Sequence, residues 1–226
     1  MPVDPNDPKA KALREVYKAS FWVYTVIIGL AIREVLVDVL PRIFAVFQPS
    51  SPSTLGHAPE PALWLAIVRG LVFFVMVTRF HLGGALVLSS LTSDDRVPSR
   101  GSGVNVFTGF IHFLLFFAWA LSVDSTAQWL GLSLYVWILM AILLFDVLWY
   151  PLAPNEEKPL IKPWMYRNVR TAVYVALFLI PIRLCAQGEG PISVLLALSA
   201  VVAVSVKELV EIFGRKDPPK KFWTWL

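Results

Sequence analysis

Long, unbroken apolar segments are the feature that most constrains this chain. Six such segments, each of about 20 residues and long enough to cross roughly 30 Å of hydrocarbon, run through its 226 residues. The apolar residues are continuous and do not alternate at every second position, so strands are disfavoured. We therefore predict an all-α polytopic membrane protein with a six-helix transmembrane domain over residues 21–213. The predicted spans are about 21–43, 62–82, 106–123, 129–150, 168–186 and 192–213.

The composition supports a membrane protein and excludes several other classes. Hydrophobic residues make up 57% of the chain and charged residues 16%, whereas a soluble domain typically has about 25% charged residues. These values exclude a disordered chain and a coiled coil, and we expect no nucleic-acid partner despite the net charge of +4. The single cysteine, Cys185, excludes an intrachain disulfide. No catalytic or metal-ligating motif stands out, so we expect neither an enzyme nor a bound metal or cofactor.

The distribution of positive charges predicts the orientation of the spans. Fifteen of the 20 Lys and Arg residues fall in the N-terminal tail, in the second and fourth connections and in the C-terminal tail. Only Arg42 and Arg183 fall on the opposite side. Because cytoplasmic loops carry the excess of Lys and Arg, both termini are predicted to be cytosolic. This topology suits a plasma membrane, or the inner membrane of a bacterium, with residues 1–20 as a cytosolic tail whose helix leads into the first span.

The C-terminal tail, residues 214–226, combines positive charges with aromatic rings. Cations suit lipid headgroups, and indole rings suit the depth just below them. The pattern therefore predicts an interfacial anchor, although a tail packed against the protein itself fits the same composition. The anchor residues are Lys220, Lys221, Trp223 and Trp225.

Charged residues inside the first two predicted spans form the first candidate site. The first span contains Arg33, Glu34 and Asp38, and the second contains Arg69. A charge at the bilayer centre costs at least about 2.5–3.5 kcal/mol, so these residues are expected to pair with one another. We predict an Arg69–Glu34 pair between the helices and an Asp38–Arg42 pair along the first helix. Three interpretations stay open: a closed structural network, a water-filled pathway, or a misplaced span in which the helix from Arg33 onward lies nearer the outer water.

A second polar cluster is predicted near the inner ends of three spans. His81 ends the second span, His112 lies in the third, and Asp146 lies near the end of the fourth. Two histidines on neighbouring helices are a known arrangement for binding metal or haem, but one such pair is a weak signal. A proton relay or polar packing between His112 and Asp146 is the favoured interpretation.

These features favour membrane transport over catalysis. Six short spans with almost no soluble mass suit a homo-oligomer in the lipid bilayer, so the leading hypothesis is an oligomeric ion channel or membrane-permeabilising pore, with the charged first helix near the pathway. One alternative is a small secondary transporter that uses the intramembrane charges. The other is a non-conducting scaffold that binds a cytosolic protein through loops 83–105 and 151–167.

Overall fold

The chain is mostly helical. The computed structural model describes residues 8–47, 61–91, 102–123, 125, 127–129, 132–155, 158–185, 199, 201–203, 205–207 and 209–210. Five long helices are present: α1 (Pro8–Phe47), α2 (Pro61–Leu91), α3 (Ser102–Leu121), α4 (Leu134–Leu152) and α5 (Lys158–Cys185). The described residues between 199 and 210 are also helical. The architecture is therefore all-α, as predicted.

The first helix is much longer than the predicted span. α1 has 40 residues and continues through Pro41 to Phe47, which corresponds to about 60 Å at 1.5 Å per residue. The predicted helix at residues 9–20 and the predicted span at 21–43 are thus one continuous rod. Because this length is about twice the hydrocarbon thickness of a bilayer, part of α1 must extend beyond any membrane that it crosses.

The fourth helix begins later than the sequence indicated. Residues Gln128–Trp129 and Leu132–Ser133 form a two-stranded antiparallel hairpin, here β1 and β2, in which Trp129 pairs with Leu132. The main chain of Leu134 closes this hairpin by donating a 2.9 Å hydrogen bond to the carbonyl of Ala127. Placing the start of the helix at Trp129 was therefore wrong, because these residues satisfy their backbone groups in the hairpin.

The fifth helix begins earlier than predicted. α5 starts at Lys158 rather than at residue 168, and α4 continues to Leu152 through Pro151 in its last turn. Most of the segment 151–167, predicted as a loop, is therefore helical. Residues 83–91 and 102–105 of the other predicted loop are helical too. The C-terminal tail, with Lys220, Lys221, Trp223 and Trp225, lies outside the described residues.

Two helices in the described part of the chain are long and apolar enough to cross a membrane. They cover Leu65–Ala85 within α2 and Leu134–Leu152, which is α4. Phe107–Leu121, within α3, is apolar but shorter. Length and composition alone give these assignments, so the six-span topology remains a prediction.

The helices enclose one apolar core that is rich in aromatic rings. α1 packs against α2 and α3, and α4 packs against α3 and α5. α1 contributes buried residues at three- and four-residue intervals, including Ile28, Ala31, Val35 and Val39, which is the spacing of a single helical face. Trp119 of α3 lies at the centre of the core and is fully buried.

Arg69 fixes the connection between α3 and α4. Its Nη1 donates hydrogen bonds to the carbonyl oxygens of Val123 and Ser125, at 3.4 and 3.2 Å. The guanidinium lies 5.5 Å from the ring centroid of Tyr135, whose hydroxyl donates a 2.8 Å hydrogen bond to the Arg69 carbonyl. The carbonyls just beyond a helix end have no helical donors, so Arg69 supplies donors where the chain leaves α3.

We expect Arg69→Met to destabilise the protein by about 1.5–3 kcal/mol, because carbonyl groups that accept hydrogen bonds from a charged donor would lose them. Thermal unfolding in detergent, followed by tryptophan fluorescence, measures the change. Arg33→Met is the matched control, since the Arg33 side chain is 67% exposed, and it should change stability by no more than about 0.5 kcal/mol. Equal losses in the two variants would contradict the role given to Arg69.

Candidate functional site

The charged residues of the first helix do not form the predicted network. Nη1 of Arg33 lies 2.6 Å from Oε1 of Glu34, its neighbour in the sequence, and Arg69 binds the carbonyls described above. The expected Arg69–Glu34 pair was therefore wrong. Glu34 and Arg33 lie on the partly exposed side of α1, whereas Arg69 is buried on the side of α2 that faces Tyr135. Asp38 is half-buried. The side chain of Arg42, its predicted partner, lies outside the part of the chain whose side chains are described.

The second predicted cluster, in contrast, contains polar side chains that contact one another. Asp146 of α4 is 1% exposed, and its Oδ1 lies 3.4 Å from Nδ1 of His112 on α3. The predicted proximity of His112 and Asp146 is thus present in the structure. When the imidazole is protonated, the two groups form an ion pair; when it is neutral, its Nδ1 is the ring nitrogen closest to the carboxylate.

Two residues of α5 hold the other carboxylate oxygen. Nε1 of Trp164 donates a 2.8 Å hydrogen bond to Oδ2 of Asp146, and Nδ2 of Asn168 donates to the same oxygen. A buried carboxylate is costly unless donors surround it, and here both donors come from one helix face, four residues apart. Sequence reasoning missed Trp164 and Asn168 as site residues. Their four-residue spacing was the only available signal.

Arg79 is a buried cation beside this site. It is 0% exposed, and its guanidinium carbon lies 5.2 Å from the ring centroid of Trp164 and 5.4 Å from that of Phe80. Arg79 was counted among the cytosolic loop charges in the topology argument, as was Arg14, which is also buried.

Aromatic rings surround the imidazole of His112. Phe80 and Phe145 meet it edge-on, at 5.3 and 5.6 Å between centroids, and Phe116 stacks on it at 5.4 Å. His81, the third member of the predicted cluster, is placed differently: it stacks on Phe21 at 5.3 Å. The structure thus joins His112 to Asp146, whereas the ring of His81 packs against Phe21 and Tyr24 of α1.

A cavity of about 160 Å³ lies next to His112 and Asp146 and is partly open to the outside. All five long helices contribute to its lining. Half of the lining residues are Phe, Tyr or Trp, and the polar groups are few. A small number of polar groups in an apolar cleft is typical of sites for small molecules. Within the described residues, no group of three or more His, Cys, Asp or Glu side chains is arranged to hold a metal ion.

Gly83 of α2 allows Trp164 to reach Asp146. A Cβ atom at residue 83 would lie 2.6 Å from Cη2 and 3.1 Å from Cε3 of the Trp164 ring, which is closer than van der Waals contact. The neighbouring Gly84 is different, because a Cβ there would lie 3.7 Å from Cε1 of Tyr24. Only the first glycine is therefore required by the packing of the site.

We expect Gly83→Ala to displace the Trp164 ring and to lower stability by about 1–3 kcal/mol, the usual cost of overpacking a core. Gly84→Ala on the same helix is the matched control and should be neutral or slightly stabilising, because alanine favours a helix over glycine by about 1 kcal/mol. Scanning fluorimetry of the two variants in detergent checks this. Equal midpoints would show that the contact between Gly83 and Trp164 is not close.

Comparisons with known proteins do not assign a function to this site. No protein family, no curated protein and no solved structure matches the chain. A function must therefore be argued from the chemistry of the site itself.

Proposed function

We propose that the chain is a multi-pass membrane protein, and the support is the large apolar side chains that it exposes. On α4, the buried face carries Asp146 while the opposite face exposes Leu144 and Leu148, the latter at 66%. Large apolar side chains are exposed on α1, α2, α3 and α5 as well. Soluble monomers rarely expose large contiguous apolar surfaces. In a bilayer, such side chains contact lipid tails, which are themselves apolar. The six-span topology with cytosolic termini belongs to this proposal.

We further propose that the protein transports protons, alone or with a small solute, through the cavity beside His112 and Asp146. The single observation that carries this is a buried carboxylate–imidazole pair whose two residues line a cavity between the helices. Ionisable residues are rare in transmembrane helices and mark ion pathways and proton relays. This is the transporter alternative that the sequence analysis left open. Its site is now His112 and Asp146 and no longer the charged residues Arg33, Glu34, Asp38 and Arg69.

The pair has the chemistry that proton transfer requires. Imidazole and carboxylate groups can both bind and release protons, and here the two groups lie 3.4 Å apart. Trp164 and Asn168 hold the carboxylate in place through hydrogen bonds to its other oxygen. A proton could therefore pass between the two groups without any large movement of the helices.

The oligomeric channel remains a second candidate, because one observation favours it. The Arg33–Glu34 pair lies at a partly exposed position of α1, next to exposed apolar residues such as Leu30 and Val37. If several copies met through this face, the pair would lie in or beside a shared pathway. A scaffold that binds a cytosolic partner is the third candidate, and it would conduct nothing.

Proton flux into liposomes separates these candidates. With purified protein in vesicles loaded with pyranine and a potassium–valinomycin potential applied, we expect Asp146→Asn to reduce protein-dependent acidification at least tenfold, because the variant removes the carboxylate that pairs with protonated His112. Glu34→Gln is the matched control, an acid-to-amide change at a partly exposed position, and it should leave the flux unchanged.

Other results would contradict the transport proposal. Loss of flux in Glu34→Gln with normal flux in Asp146→Asn would favour the channel along α1. Absence of protein-dependent flux in the unmodified protein would favour the scaffold.

A further inference from the structure

The outer face of α1, opposite the face that packs against α2 and α3, carries apolar residues at a regular spacing of seven. These residues are between 41 and 61% exposed, and they are Val16, Val23, Leu30, Val37 and Phe44. Val26 and Leu40, which follow Val23 and Val37 by three residues, are exposed as well. Apolar residues at alternating three- and four-residue intervals are typical of the seam along which two helices pack side by side, and membrane helices use the same packing.

Arg33 interrupts this seam and indicates that the seam is covered by protein. It takes the position that Val26 and Leu40 occupy one heptad earlier and later, near the middle of the predicted span, and its side chain is 67% exposed. Glu34, with which it pairs, is partly exposed too. Lipid tails cannot solvate an ion pair, and charged residues in transmembrane helices almost always face other protein or a water-filled space.

A second copy of the chain suits this face because the pair carries both signs of charge. In a two-fold dimer, the same surface patch meets itself, so each contact between two different residues occurs twice. When two helices pack along a heptad seam, each side chain of the seam enters a hole formed by four residues of the facing helix. For Arg33 in a parallel pair of α1 helices, that hole includes Glu34 of the second copy. Each Arg33 can therefore pair with the other copy's Glu34.

Gly29 allows the close approach that such packing needs. It lies inside α1, one turn before Arg33, and a Cβ atom at this position would meet no other part of the chain within 4 Å. Glycine inside a helix is less favourable than alanine, and the packing of a single copy does not require it here. Small residues let the backbones of two membrane helices come close together, so Gly29 supports a partner helix on this face.

We propose that the protein forms a parallel homodimer through this seam of α1, with Arg33 of each copy paired with Glu34 of the other. The proposal rests on the membrane location proposed above, which gives both copies the same orientation, but not on proton transport. The cavity beside His112 and Asp146 lies within one copy, so dimerisation and flux are separate properties. Each copy also has its own packed core, so separation of the copies is distinct from unfolding.

Disulfide cross-linking in liposomes tests the seam. Leu30→Cys is made in a Cys185→Ser background, reconstituted at a low protein-to-lipid ratio, recovered by flotation and oxidised with copper phenanthroline. Two-fold packing places residue 30 beside its own copy, close enough for a disulfide. Leu144→Cys on α4 is the matched control, because Leu144 is 47% exposed and Leu30 48%. We expect the control to form at least about fivefold less covalent dimer, since only the seam meets the geometric requirement of a disulfide.

Two further positions test the direction of the helices. Val23→Cys and Val37→Cys lie one heptad to either side of Leu30. In a parallel dimer each of them meets its own copy and should cross-link as Leu30→Cys does. In an antiparallel pair centred on Leu30, residue 23 would meet residue 37 instead, and neither variant would cross-link with itself.

A charge exchange tests the pairing of Arg33 with Glu34. Arg33→Glu places two negative charges on the seam and Glu34→Arg places two positive charges there, so each variant repels a second copy of itself and attracts the other variant. With both variants differently tagged, reconstituted together and cross-linked through Leu30→Cys, we expect heterodimers to exceed the proportion given by random mixing by about fivefold or more. The comparison of Leu30→Cys with Leu144→Cys stands even if a charge variant fails to fold.

Three results would each overturn the inference and leave the membrane proposal in place. They are equal cross-linking of Leu30→Cys and Leu144→Cys in floated liposomes, cross-linking at residue 30 without cross-linking at residues 23 and 37, and random mixing of the two charge variants. Failure of the unmodified protein to float with the liposomes would overturn the membrane proposal and, with it, this inference.

Discussion

The buried carboxylate of Asp146 is the group around which the polar interior of this protein is organised. A carboxylate that is 1% exposed is tolerated only when donors and positive charge surround it. α5 supplies two donors through Trp164 and Asn168, α3 supplies the imidazole of His112, and α2 places the guanidinium of Arg79 beside the ring of Trp164. Three helices thus meet at one side chain, and Gly83 of α2 provides the space that lets Trp164 approach it.

The same arrangement explains why transport is favoured over a purely structural role. A polar cluster that served packing alone would be expected to satisfy its own hydrogen bonds. Here, Asp146 Oδ1 and His112 Nε2 remain without hydrogen-bond partners among the described residues, and both residues line a cavity. In contrast, Arg69 and Tyr135 do not line this cavity, and their hydrogen bonds join α2 to the end of α3 and to α4.

Much of the helical architecture was predictable from the sequence, because apolar runs of sufficient length permit few alternatives to a helix. The contact between His112 and Asp146 was also predictable, since polar groups at matching depths in apolar segments tend to meet. The Arg69–Glu34 pair was wrong because depth alone does not fix the direction in which a side chain points around its helix. The short hairpin was missed because strands of two residues, Gln128–Trp129 and Leu132–Ser133, are too short to show the alternation that identifies a strand. Trp164 and Asn168 were missed because no rule of spacing relates them to a residue on another helix.

If the chain is a membrane protein, the apolar face of α4 opposite Asp146 must lie in lipid. Spin labels at Leu144 and Leu148, on the exposed face of α4, report this when each is introduced as a cysteine in a Cys185→Ser background and reconstituted in bilayers. A label at the exposed Asn155 is the aqueous reference. We expect the labels at Leu144 and Leu148 to relax more with oxygen than with a water-soluble nickel chelate, with Leu144 the deeper of the two. Relaxation dominated by the nickel chelate at both positions would place α4 in water and contradict a membrane-spanning α4.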